Sequence, residues 1–152
     1  MSRLLGFLVA CFLAGAAFAS LGSAALGAPL ASASGPPKLT LAGSQYGRVL
    51  FDGQRRALYA FTRDPRGRSV CSGECAVKWP PYIVRGRVAA GAGVRASLIG
   101  TTRRADGRLQ VVYAGRPLYF YVDDPKGKVL CGNVSEFGGV WLVVAASGKL
   151  LR

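Results

Sequence analysis

The chain has 152 residues, which fits one domain, and carries 20 Lys and Arg against 7 Asp and Glu for a net charge of +13. It contains no histidine, and its one methionine is Met1. That composition argues against His-based acid–base catalysis, ordinary haem ligation and the usual His or Met metal sites of exported proteins.

The first stretch, MSRLLGFLVACFLAGAAFAS, has a basic start at Arg3, a long apolar run and small residues at its end. This is a secretory signal pattern over residues 1–33. Small residues at the −3 and −1 positions allow cleavage after Ala19 or after Ala33. The alternative is an uncleaved anchor, since the apolar run from Leu4 to Leu30 is long enough to span a bilayer. LVAC, ending at Cys11, resembles a lipidation site, but the apolar run continues past Cys11 instead of ending before it. The reading is therefore an extracytoplasmic protein, periplasmic or secreted, ahead of one anchored through its leader or a lipidated Cys11.

Residues 34–45, within GAPLASASGPPKLT and beyond, read as a flexible linker, with the folded part starting between Leu39 and Tyr46. From 46 to 152 the chemistry is β. GRVLFD, RALYAFTR, LQVVYAG, RPLYFYVD and GVWLVVAA are short runs of β-branched, aromatic and aliphatic residues separated by turn signals. GECAVKW fits one helical turn near residues 73–79, stopped by Pro80 and Pro81. RGRVAAGAGVRASLIG reads as the connection between two halves, with one strand near Val94 to Ile99.

The halves are copies. Residues 56–71 align with 116–131 at an offset of sixty, with seven of sixteen positions identical. Beyond the cysteines the match resumes with two extra residues, pairing Glu74 and Trp79 with Glu136 and Trp141. The repeat units run about 46–84 and 106–145. In a strand, Tyr59 and Phe61 share one face and Leu58, Ala60 and Thr62 the other; Tyr119 and Tyr121 repeat this against Leu118, Phe120 and Val122. Both faces are largely apolar, which predicts an all-β sandwich or small barrel of short antiparallel strands.

LYAFTRD and LYFYVDD each fit Tyr, any, aromatic, any, any, Asp. With CSGECAVKWPP after the first, TTRRADGRLQVVYAG before the second and FGGVWLVV at the close, they resemble the bacterial secreted-repeat family of predicted lipoproteins. The resemblance spans about residues 46 to 145 and implies an exported envelope protein with no activity to carry over.

Asp64 and Asp124 could be paired carboxylates. Asp–Pro–x–Gly is also a type I turn signature, with Asp first, Pro second and Gly fourth, and this explains those residues without catalysis. Tyr59, Phe61, Tyr119 and Tyr121 read as packing residues, and Trp79 and Trp141 as anchors of the cores of the two halves.

Cys71, Cys75 and Cys131 lie outside the leader, and export favours disulfides. Chain entropy favours joining Cys131 to Cys71 or Cys75, about 4 kcal/mol against about 2 for the five-residue ring of CSGEC. The Ser-Gly centre allows the short ring, and the resemblance implies the Cys71–Cys75 pair. Cys131 is then free, or available for an intermolecular disulfide. As three thiolates, Cys71, Cys75 and Cys131 are candidate ligands for Cu(I), the one cofactor the sequence suggests. A thioredoxin-like role lacks its alternating helices and strands. No Gly-x-Ser-x-Gly elbow or phosphate loop occurs.

The basic excess predicts attraction to anionic envelope polymers or a membrane surface. Its densest region, Arg85 to Arg108, holds six arginines and one aspartate. No nucleic-acid-binding motif is present. The expectation is an exported, non-enzymatic binding or structural module for anionic envelope components; the alternative is a copper-binding or thiol-redox accessory protein using Cys71, Cys75 and Cys131.

Overall fold

A computed structural model describes residues 35–152. The expectations for the leader, including Cys11 and cleavage after Ala19 or Ala33, lie outside the described residues. No helix among the described residues is long and apolar enough to cross a membrane.

The fold is all-β, as its patterning predicts. The first copy supplies β1 (Lys38–Ser44), β2 (Gly47–Asp52), β3 (Tyr59–Phe61), a short helix α1 (Glu74–Lys78) and β4 (Ile83–Val84). The connection holds β5 (Ala89–Ala90) and a 3₁₀ turn at Ala96–Leu98. The second copy supplies β6 (Ile99–Arg103), β7 (Leu109–Tyr113), β8 (Arg116–Pro117), β9 (Val134–Glu136) and β10 (Gly139–Val144), and β11 (Leu150–Leu151) ends the chain. Three small sheets result: β2-β1-β5, β11-β10-β3 with β9 on β10, and β4-β7-β6 with β8 on β7. Two boundaries differ from the sequence reading. Residues 38–44, expected within the linker, form β1, because Thr40, Leu41 and Ala42 pair with Phe51, Leu50 and Val49 and Leu39 is fully buried. The strand expected near Val94 starts at Ile99, after the 3₁₀ turn.

The copies are related by an internal pseudo-twofold axis that passes between Tyr59 and Tyr119. These two residues exchange both backbone hydrogen bonds, each 2.9 Å long. Around them the pairing repeats at matched positions. Val143 sits opposite Tyr59, and Pro81 sits opposite Tyr119. Thr62 N–H donates to Val140 O at 3.0 Å, and Val122 N–H to Lys78 O at 3.2 Å. The β1–β2 and β6–β7 hairpins occupy corresponding places, with the register shifted by one residue: Leu39 pairs with Asp52, and Ile99 with Tyr113.

Sequence explains where the symmetry fails. The second copy continues from Trp141 as Leu-Val-Val and forms a regular ladder with β3. The first continues from Trp79 as Pro80-Pro81, two residues with no N–H to donate, so only isolated bridges form. Its preceding segment is two residues shorter and makes α1 where the second copy makes the β9–β10 hairpin. Gly73, at φ 57, admits the chain to α1.

The two faces of the repeated phrase enter two different cores. Leu58, Ala60, Leu118 and Phe120 pack in one, with Leu39, Leu50, Val111, Tyr113 and Val144. Tyr59, Phe61 and Tyr119 pack in the other, with Tyr121 against its side. Trp79 and Trp141 do not anchor separate cores as the sequence suggested. They stack on each other in this second core, with ring centroids 4.1 Å apart and planes 1° from parallel. Phe61 stacks on the far face of the pair at 4.2 Å from Trp141, and Tyr59 meets Trp79 edge-on at 5.2 Å.

Both copies contribute to both cores, so they have no independent stability to lose. Trp141→Ala is expected to cost about 3–5 kcal/mol. Denaturant unfolding followed by fluorescence and circular dichroism should still show one coincident transition for wild type and variant. Two separated transitions would contradict the shared cores.

Candidate functional site

The repeated motif forms a single crossed arrangement. Tyr59 of the first copy donates its hydroxyl to Asp124 Oδ2 of the second at 2.5 Å, and Tyr119 of the second donates to Asp64 Oδ2 of the first at 2.7 Å. The other carboxylate oxygens accept backbone N–H groups six residues on: Val70 to Asp64 Oδ1 at 2.8 Å, and Leu130 to Asp124 Oδ1 at 3.1 Å. Thus each Asp binds its own loop with one oxygen and the other copy with the second.

The turns differ from the type I expectation. Arg68 N–H closes on Pro65 O, and Lys128 N–H on Pro125 O, each at 3.1 Å. The turn thus starts at the proline, with Gly67 (φ 71) and Gly127 (φ 77) in its third position, where a type II turn needs positive φ. The glycine N–H groups point to the other copy instead, Gly67 to Gly115 O at 2.7 Å and Gly127 to Arg55 O at 2.6 Å.

Burial pushes both carboxyls above their ordinary value, opposed by the hydrogen bonds from tyrosine and backbone. Burial likewise drives the Tyr59 and Tyr119 hydroxyls far above theirs, reinforced by Asp124 and Asp64. The four groups are hydrogen-bonded to one another and to the backbone, and neither tyrosine ring is exposed. This chemistry is that of a clamp.

A second layer of the clamp was hidden in the sequence. Ser69 Oγ lies 2.6 Å from the Tyr119 hydroxyl and accepts from Arg104 Nη1 at 2.6 Å. Arg104 also donates to Gln110 Oε1 and to Cys71 O, each at 2.7 Å. Gln110 is fully buried and donates to Leu118 O at 2.8 Å. One arginine of the dense basic region therefore turns inward. Its only sequence signal was its nearness to a strand, shared by many surface arginines.

Cys71 and Cys75 are joined in a disulfide with Cα atoms 5.4 Å apart, and Cys131 is free and half-buried. The three thiolates proposed for Cu(I) are thus not available together, and no cluster of three or more His, Cys, Asp or Glu disposed to hold a metal occurs among the described residues. The interaction with the Cys131 thiol, and then burial, push the Tyr121 hydroxyl up to about 12. Burial raises the Cys131 thiol, so it is protonated at neutral pH, the less reactive form.

Glu136 accepts from Trp79 Nε1 at 2.9 Å and from Lys78 at 2.7 Å. The equivalent acid in the first copy, Glu74, is exposed on α1, and Trp141 Nε1 is buried with no partner among the described residues.

Three expectations follow. Tyr59→Phe and Asp124→Asn should each cost about 1–3 kcal/mol. Urea unfolding should give the double variant less than their sum; strict additivity would exclude the crossed bond. The stability held by Tyr59 and Tyr119 is complete below their unfolded value of 10.0 and lost as pH rises above it. Wild type should therefore lose stability above pH 10 more steeply than Tyr59→Phe/Tyr119→Phe, by about 1.4 kcal/mol per pH unit for each tyrosine. Mass-spectrometric thiol counting on the unfolded exported protein should find one thiol outside the leader; three would contradict the disulfide.

Residues 100–145, from β6 through β10, match a family described as a secreted repeat of unknown function. No curated protein and no solved structure gives a significant match to the chain. The match covers the second copy, while the first is tied to it by the aligned motif and the pairing across the pseudo-twofold axis. Residues 100–145 are thus similar to a secreted repeat, and this similarity supports an exported, extracytoplasmic protein.

Proposed function

We propose that this exported protein is a non-enzymatic binding module of the cell envelope whose basic surface engages anionic envelope components. The distribution of charge carries this reading. Among the described residues, Arg56, Lys78, Arg104 and Arg108 are the basic side chains within ion-pair distance of a carboxylate. Asp52, Asp106 and Glu136 serve those pairs, and Asp64 and Asp124 are committed to the clamp. Exposed side chains such as Arg63, Arg66, Arg68, Arg85, Arg87, Lys126 and Lys128 are left without a counter-charge. A surface with this excess draws polyanions in a salt-dependent way. The motif carboxylates, each with both oxygens engaged, support a scaffold role over acid–base work.

The exported protein should bind anionic vesicles or a soluble phosphate polymer at low ionic strength, and release them as salt rises from about 50 to about 300 mM, where screening shortens. Co-sedimentation and fluorescence anisotropy measure this. Absent or salt-insensitive binding overturns the reading.

A further inference from the structure

The clamp holds up something specific. After each proline the chain runs basic, Gly, basic, any, apolar: Arg66-Gly67-Arg68-Ser69-Val70 in one copy and Lys126-Gly127-Lys128-Val129-Leu130 in the other. In both, the fourth residue turns inward, Ser69 to the Tyr119 hydroxyl and Val129 into the core at 3% exposure. The third and fifth are exposed in both copies. Arg66, Arg68, Lys126 and Lys128 are exposed, and Val70 and Leu130 remain 41% and 58% exposed.

Each tip is fixed at three points. The aspartate of its own copy holds the N–H of the apolar residue, and the tyrosine of the other copy holds that aspartate. The turn glycine N–H is anchored on a carbonyl of the other copy. The apolar residue is thus presented to solvent by a rigid base, beside two cations that make no ion pair among the described residues. An outward aliphatic side chain that stays this exposed in a fixed loop is only partly used by the fold. It suits a surface with anionic groups outside and hydrocarbon beneath.

We propose that these two tips are equivalent membrane-contact loops that bind the headgroups of an anionic lipid bilayer through their paired cations and seat Val70 and Leu130 at its acyl boundary. The proposal rests on the polyanion reading above and narrows it to a site and a partner. A soluble polyanion offers the same phosphate chemistry with no apolar layer, so the apolar residue separates the two.

The test uses the exported protein with vesicles of phosphatidylglycerol and phosphatidylcholine, and with poly(glycerol phosphate) as the soluble polyanion. Arg66→Ala/Arg68→Ala and Lys126→Ala/Lys128→Ala should each weaken partition to the anionic vesicles by about thirtyfold, the effect of two cations near a charged surface. Arg85→Ala/Arg87→Ala, which removes the same charge elsewhere, should change it several-fold less. Leu130→Ser should weaken vesicle binding about tenfold and leave polymer binding unchanged. Lys126→Arg/Lys128→Arg should retain wild-type partition, and unfolding midpoints should stay near wild type because all these side chains are exposed. Equal losses for the tip and control pairs, or vesicle binding indifferent to Leu130→Ser, overturn the proposal while leaving salt-dependent polyanion binding in place. A wild type that binds neither vesicles nor polymer removes the broader reading instead.

Discussion

The architecture depends on an exchange. Tyr59 and Tyr119 pair backbone to backbone, and each hydroxyl reaches the aspartate of the opposite copy. A buried tyrosine hydroxyl needs an acceptor, and a buried carboxylate needs donors. Within one copy neither need is met: Tyr59 bonds Asp124 and not Asp64, and Tyr119 bonds Asp64 and not Asp124. The crossed arrangement satisfies both and brings the two strands of the phrase together, so that one face of the pair lines one core and the other face the second. The tryptophan stack and the Gly67 and Gly127 hydrogen bonds repeat this logic farther from the axis.

Around this symmetric centre the copies have diverged by a few residues with direct physical effects. Two prolines remove the donors that would complete a ladder on one side. A disulfide and a one-turn helix replace a hairpin there. Cys131 occupies the place of Cys71 and keeps its thiol, half-buried. Glu136 caps Trp79, whereas Glu74 faces solvent and the Trp141 N–H goes without a partner.

Much of this was legible in the sequence, and the limits are instructive. The period-2 pattern gave β3 in the first copy and the two-sided burial of Leu58 to Phe61 and Leu118 to Phe120, because both faces are apolar; the second copy, expected as a strand, makes only isolated bridges at Tyr119. The short helical turn was readable from the residues before Pro80. The partner of each aspartate was not readable. Asp-Pro-x-Gly is sufficient to explain itself locally, and nothing in one copy says that its carboxylate is shared with the other. β1 was missed because Pro36, Pro37 and Gly43 give it a loop-like composition, while its order comes from pairing with β2. Arg104 and Gln110 were missed because polar residues signal surface unless a buried partner is known, and theirs are contributed by segments distant in sequence.

The crossing of the motif also constrains how such a protein can arise and vary. A single repeat on its own leaves a tyrosine hydroxyl, a carboxylate and one face of a tryptophan without the partners that the other copy supplies here. Joining two copies in one polypeptide makes those contacts intramolecular and frees each half to change alone, provided the crossed pairs stay intact. Among the described residues, the Cys71–Cys75 disulfide, the helix α1 and the free Cys131 thiol are changes of this kind. An identical-subunit dimer would have had to carry each of them twice.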